Sequence, residues 1–259
     1  MERIRRIAAL SYGATCYAIF FATFLYLIGF LANLFVPKSI DSGTAGPAGW
    51  ALLVNGGLLA LFGLQHSVMA RPGFKRVLTR VVPRAIERST YVLASSAALI
   101  VLFWQWRPMP AALFEVSGPI ASGVATGLYL LGYGIILYST FLIDHFDLFG
   151  LRQVFLRAMG RPYTEKRFAT PSLYKRIRHP LYVGWIITFW ATPSFTVGHL
   201  LFASAMTAYI LVAIPYEERD LAAQLGEPYE KWRARTPAFV PRLGRGSRPQ
   251  AGGVFEEAR

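Results

Sequence analysis

Apolar residues run in long unbroken blocks along this chain instead of recurring on one face every three or four positions. That is the pattern of helices that are apolar all round. Such blocks cover residues 7–36, 48–70, 89–106 and 120–143, each near or above the roughly 20 residues a helix needs to cross a hydrocarbon core. Two shorter blocks, 181–195 and 197–214, are joined around Pro193 and Gly198 and predict a helical hairpin. The first arm of that hairpin is short for a full crossing, so it begins within the interface or spans part of the bilayer. The pattern predicts an all-α integral membrane bundle of about six transmembrane helices. Stretches 75–82 and 148–159 predict short amphipathic helices at the membrane surface, with arginines toward the headgroups. The first block is far longer than the apolar region of about 7–15 residues in a signal peptide, and it ends at Pro37, so it reads as a retained helix.

Charge fixes the expected orientation. Three Lys or Arg precede the first block, six lie in 71–88, eight in 152–178 and eight after Tyr216, against only Lys38 and Arg107 in the opposite loops. By the excess of positive charge in cytosolic loops, both termini are expected in the cytosol. The net charge of +13 would suggest nucleic acid in a soluble protein, but here the cations sit between apolar blocks and serve topology. Hydrophobic residues make up 54% of the chain and charged ones 16%. The single cysteine, Cys16, lies inside the first block and says nothing of redox compartment. Residues 1–243 read as one transmembrane domain and 244–259, rich in Gly, Pro and Arg, as a mobile basic tail.

Ionisable residues beside apolar spans are costly, and each raises a functional question. His66 lies near the inner end of the second span; Asp144, His145 and Asp147 close the fourth; His179 opens the fifth; Glu217 and Glu218 follow the sixth. All fall at one membrane depth, whereas His199 lies at the outer end. Four helix ends therefore bring three histidines and several carboxylates to one level, where a pocket between helices would admit a cytosolic cofactor and a membrane-soluble substrate. No metal site is expected, because there is no Cys pair, no His pair at helical spacing and no HExxH. Gly132-Tyr-Gly134 lacks the third glycine of a dinucleotide fingerprint, and small residues there also suit close helix packing.

The run Arg178-His179-Pro180-Leu181-Tyr182 followed by Glu217-Glu218 resembles the membrane methyltransferases, the superfamily of isoprenylcysteine carboxyl and phospholipid N-methyltransferases. The likeness covers about residues 128–235, including Gly226-Glu-Pro-Tyr229 and Trp232. Upstream, Gln65-His66-Ser67, Arg71-Pro72 and Glu87-Arg88-Ser89-Thr-Tyr91, with His145-Phe-Asp147-Leu-Phe-Gly150-Leu-Arg152-Gln153, resemble the NnrU-type branch and its bacterial methanethiol S-methyltransferases. The resemblance implies transfer of a methyl group from S-adenosylmethionine to a small thiol: methanethiol to dimethyl sulfide, or hydrogen sulfide to methanethiol. It implies a multi-pass protein of the bacterial inner membrane, with membrane lipids around it and no nucleic-acid or metal partner. It places Arg178, His179, Tyr182, Glu217 and Glu218 at the cofactor, with Gly132 and Gly134 where the cofactor nears the backbone. A neutral thiol is a poor nucleophile, and even a cysteine-like thiol, with a pKa of about 8.5, is only a few per cent ionised at neutral pH. A general base is therefore expected, His145 or His66, with Asp147 orienting the imidazole. Two other readings stay open: a lipid or prenylcysteine methyltransferase, and a non-enzymatic NnrU-type membrane protein.

Overall fold

The computed structural model describes residues 1–164 and 168–241; the tail at 244–259 lies outside the described residues. Five helices are long and apolar enough to cross a membrane: α1 (Glu2–Ala32), α2 (Ala48–Ala70), α4 (Arg84–Gln105), α5 (Pro119–Leu142) and α9 (Val197–Leu225). Short helices α3 (Pro72–Leu78), α6 (His145–Leu148) and α7 (Leu151–Ala158) follow α2 and α5, and α10 (Glu227–Arg235) follows α9. The sixth apolar block forms α8 (Pro180–Trp190), only 11 residues long. At about 1.5 Å per residue α8 reaches roughly 16 Å, about half the hydrocarbon thickness. By length it is a partial span, so among the described residues the bundle has five helices long enough to cross and one half-length helix.

Local chemistry sets the boundaries. Asn33 adopts a left-handed φ of 56° and ends α1 four residues before Pro37. Pro119 and Pro180 occupy the first turns of α5 and α8, where a missing N–H costs nothing. The Thr196 side chain accepts from the His199 N–H and caps α9. Two expectations are corrected here. The α8–α9 connection is not a bare turn: Ser194–Thr196 forms strand β2, antiparallel to β1 (Ala112–Glu115), with Phe114 opposite Phe195. The last helix does not stop at residue 214. It runs through Pro215 to Leu225 before Gly226, at φ 65°, breaks it from α10.

The helices close into a ring. α1 packs on α4, α4 on α2, α2 on α9, α9 on α8 and α8 on α5, while Tyr129 of α5 donates to the Ile28 carbonyl of α1 at 2.6 Å. The buried centre is aromatic, with Phe24, Phe30, Trp106, Tyr133, Phe189 and Phe202. The half-length α8 is held by backbone contact. A Cβ on Gly132 would lie 2.8 Å from the Gly184 carbonyl oxygen, and one on Gly184 would lie 2.8 Å from that of Gly132. Only paired glycines let α5 and α8 approach so closely. Both the start of α1 and the end of α9 line one open groove, so these helix ends share one end of the bundle. The β1–β2 pair is at the other.

Candidate functional site

The hairpin brings the Arg-His-Pro segment against the paired glutamates. Arg178 Nε donates to Glu218 Oε1 at 2.7 Å, and His179 Nε2 lies 2.8 Å from the same oxygen. The Glu218 side chain is only 12% exposed. Arg178 also donates from Nη1 to the carbonyls of Arg233 and Thr236, and the Arg178 and His179 N–H groups bond Pro237 and Ala238. Glu218 is thus the centre of a buried latch that joins α8, α9 and the chain beyond α10. Burial, helped by the charges of Glu218 and Glu217, pushes the Tyr229 hydroxyl up to about 12.

Glu217 is placed differently. Tyr182 donates to its Oε2 at 2.7 Å, and Oε1 has no protein partner among the described residues. The carboxylate is within electrostatic reach of the hydroxyls of Tyr91, Tyr174, Tyr182 and Tyr209. A half-buried carboxylate with one oxygen free among aromatic rings can hold a cation, an amine or a diol.

Tyr91 and Tyr209 border His66. The Tyr91 hydroxyl lies 2.9 Å from His66 Nε2, and Ser95 Oγ lies 3.2 Å from Nδ1. The His66 ring stacks on Phe62 at 5.4 Å and meets Tyr209 at 6.4 Å. Ser67 donates to the Tyr209 hydroxyl at 3.2 Å. One turn further out, Arg71 closes this face with an ion pair to Asp220 at 2.8 Å. Tyr209 and Asp220, eleven residues apart, share the face of α9 turned to α2, where they meet Ser67 and Arg71.

His145 belongs elsewhere. Its Nε2 lies 2.8 Å from the Tyr17 hydroxyl and its Nδ1 2.9 Å from Thr140 Oγ1. Phe141 stacks on the ring at 4.5 Å, with Phe146 and Phe149 at its edges. The residue is 4% exposed, and burial pushes its pKa down. None of these partners belongs to the His66–Glu217 set.

Several expected roles change accordingly. Asp147 does not orient His145: the imidazole turns inward to α1, while Asp147 turns along α7 to Arg152 at 3.1 Å and Tyr163 at 3.2 Å. Gly132 is packed against α8, and Gly134, one position past Tyr133, has open space where a Cβ would be. The expected single pocket from four helix ends resolves into one network from α2, α4, α8 and α9 and a separate His145 cluster. Tyr209, Ser95, Tyr17 and Thr140 were missed from sequence. Their only signal is a polar atom inside an apolar span. Among the described residues, no group of three or more His, Cys, Asp or Glu is placed to hold a metal ion.

Comparison with known proteins gives one consistent result. The chain is 53% identical over 238 residues to methanethiol S-methyltransferase 2 of Bradyrhizobium diazoefficiens, covering 92% of each chain. It is 50% identical to the methanethiol S-methyltransferase of Mycobacterium tuberculosis, over 92% of this chain and 98% of that one. More distantly, it is 30% identical to nurim of Xenopus laevis over 80% of each chain. No family model matches the chain, and no solved structure matches it.

Proposed function

We propose, for a chain that belongs to the methanethiol S-methyltransferase family, that it methylates methanethiol to dimethyl sulfide with S-adenosylmethionine as donor, at the basic, cytosolic end of the bundle. The observation that carries this reading is the Tyr182–Glu217 contact at 2.7 Å, which holds a half-buried carboxylate with one oxygen free on α9, while Tyr209, about two turns earlier on the same helix, meets the His66 ring. A carboxylate for a cationic donor and a base for a thiol acceptor thereby both stand beside α9.

The residues suit the donor. S-adenosylmethionine supplies an electrophilic methyl group on a sulfonium that also bears an ammonium and a ribose diol. The free Oε1 of Glu217 accepts from the ammonium or the diol, and the charged acceptor makes such a bond stronger than a neutral one. Tyr182 fixes the carboxylate rotamer from the opposite oxygen. The rings of Tyr91, Tyr182 and Tyr209 add cation–π attraction of about 0.5–2 kcal/mol each where they face the sulfonium. Glu218 acts one step back, holding the Arg178–His179 segment so that Tyr182 reaches Glu217.

His66 is the base in this reading. With its Nε2 as acceptor, the Tyr91 hydroxyl passes its proton to His66 while taking the thiol proton, and Nδ1–H donates to Ser95. The thiolate then forms the new S–C bond as the sulfonium S–C bond breaks. His145 keeps its two hydroxyl partners and ties α1 to the end of α5.

The test is purified protein with methyl-labelled S-adenosylmethionine and a panel of volatile thiols, hydrogen sulfide included, with the headspace products identified. Labelled dimethyl sulfide from methanethiol is expected. Its absence, together with no calorimetric heat from S-adenosylhomocysteine, would leave the non-enzymatic NnrU-type reading; labelled lipid instead would leave the lipid methyltransferase.

A further inference from the structure

A groove of about 1440 Å³ opens at the basic end. Segments distant in sequence line it: the start of α1, α3, the start of α4, α7 with the turn after it, and the end of α9. Seven cationic side chains face it against four carboxylates. The carboxylates neutralise the cations only in part: Glu87 lies within electrostatic reach of Lys75, but Asp220 is taken by Arg71 and Asp147 by Arg152, two further cations that do not line the groove. Glu2 is shared between Arg6 at 3.2 Å and Arg157 at 4.0 Å. Among the described residues, Arg76, Arg84 and Arg161 pair with no carboxylate.

Cations so crowded repel one another unless an anion joins them. Lys75 in the groove shows the cost: burial, with the charge of Arg88 added, pushes its pKa down. The groove therefore suits a ligand bearing a phosphate, whose oxygens accept from guanidinium groups in bidentate fashion. It does not suit S-adenosylmethionine, whose sulfonium and ammonium outweigh its one carboxylate. The helices that form the groove also expose large apolar side chains: Val77 on α3, Ile4 and Ile7 on α1, Phe155 on α7. A ligand here thus has cations for its head and an apolar flank for its tail, at the depth where membrane headgroups lie.

We propose that this groove is a binding site for the phosphate-bearing headgroup of an anionic phospholipid. Arg84 and Arg161, which pair with no carboxylate among the described residues, hold the phosphate, and the acyl chains leave along the exposed apolar side chains of α1 and α3. None of the residues assigned to methyl transfer lines the groove, and the nearest approach is Arg88, which lines it and lies over the Tyr91 ring at 5.1 Å.

The experiment uses the full chain in neutral detergent, titrated with phosphatidylglycerol or phosphatidylcholine and followed by native mass spectrometry and thermal unfolding. Phosphatidylglycerol is expected to remain bound and to raise the melting temperature, with phosphatidylcholine doing neither. The double variant Arg84→Gln/Arg161→Gln should lose at least tenfold in phosphatidylglycerol affinity, while Arg107→Gln at the opposite end keeps it. Both arginines are exposed, and a single cooperative unfolding transition in lipid-free detergent at the wild-type temperature serves as the check on folding. Equal retention of phosphatidylcholine, an undiminished affinity in the folded double variant, or the same thermal shift from inorganic phosphate alone would each overturn the assignment.

Discussion

Tyr182 donates to Glu217 at 2.7 Å across the α8–α9 hairpin, while the neighbouring Glu218 is consumed by Arg178 and His179 on a single oxygen. Two adjacent glutamates thus do different work. Glu217→Gln should weaken S-adenosylhomocysteine binding by tenfold or more, the worth of a charged hydrogen bond of about 1.5–3 kcal/mol, with little change in melting temperature. Glu218→Ala should instead strand the Arg178 guanidinium, a loss of about 3–5 kcal/mol in stability. Calorimetry and thermal unfolding of both variants separate the two roles; equal effects on both readouts would refute the division.

His66→Gln should reduce turnover of methanethiol by about 10²–10⁴-fold, the usual contribution of a general base, while leaving cofactor affinity intact. Tyr91→Phe removes the bridging hydroxyl and should lower kcat in the same direction. Raising the pH toward the thiol's own pKa should rescue both variants, because the substrate then ionises unaided. A flat pH response in the variants would move the base elsewhere.

His145 makes a different prediction, about stability. Its pKa is depressed by burial, so the folded protein holds fewer protons at this site than the unfolded chain. Its stabilising contribution is complete above the ordinary histidine value of about 6.5 and is lost as the pH falls below it. Thermal unfolding should show wild-type protein losing stability from pH 7.5 to 5 more steeply than His145→Gln. The variant itself should cost about 1–3 kcal/mol at neutral pH, since Tyr17 and Thr140 lose their partner.

Gly132→Ala would drive a methyl group to 2.3 Å from Thr188 Oγ1 and should cost about 1–3 kcal/mol by forcing α8 off α5. Gly134→Ala meets nothing and should change stability by less than about 0.5 kcal/mol. If Gly134→Ala abolished S-adenosylhomocysteine binding, the packing account of this glycine pair would be wrong.

The chain's apolar blocks determined the bundle, because a helix is the way a single segment satisfies its own backbone in lipid, and α2 runs over the same residues that its apolar block marks. Sequence also determined that the Arg-His-Pro segment and the paired glutamates would meet, since they flank the two arms of one hairpin. Which glutamate is free, which histidine joins them and which glycine packs were decided only by tertiary structure. A side chain's partner depends on its rotation about the helix axis and on a neighbour far away in the chain, as Tyr17 is to His145. Hydropathy carries no record of either, so His66 and His145 look alike in the sequence and face different neighbours in the fold.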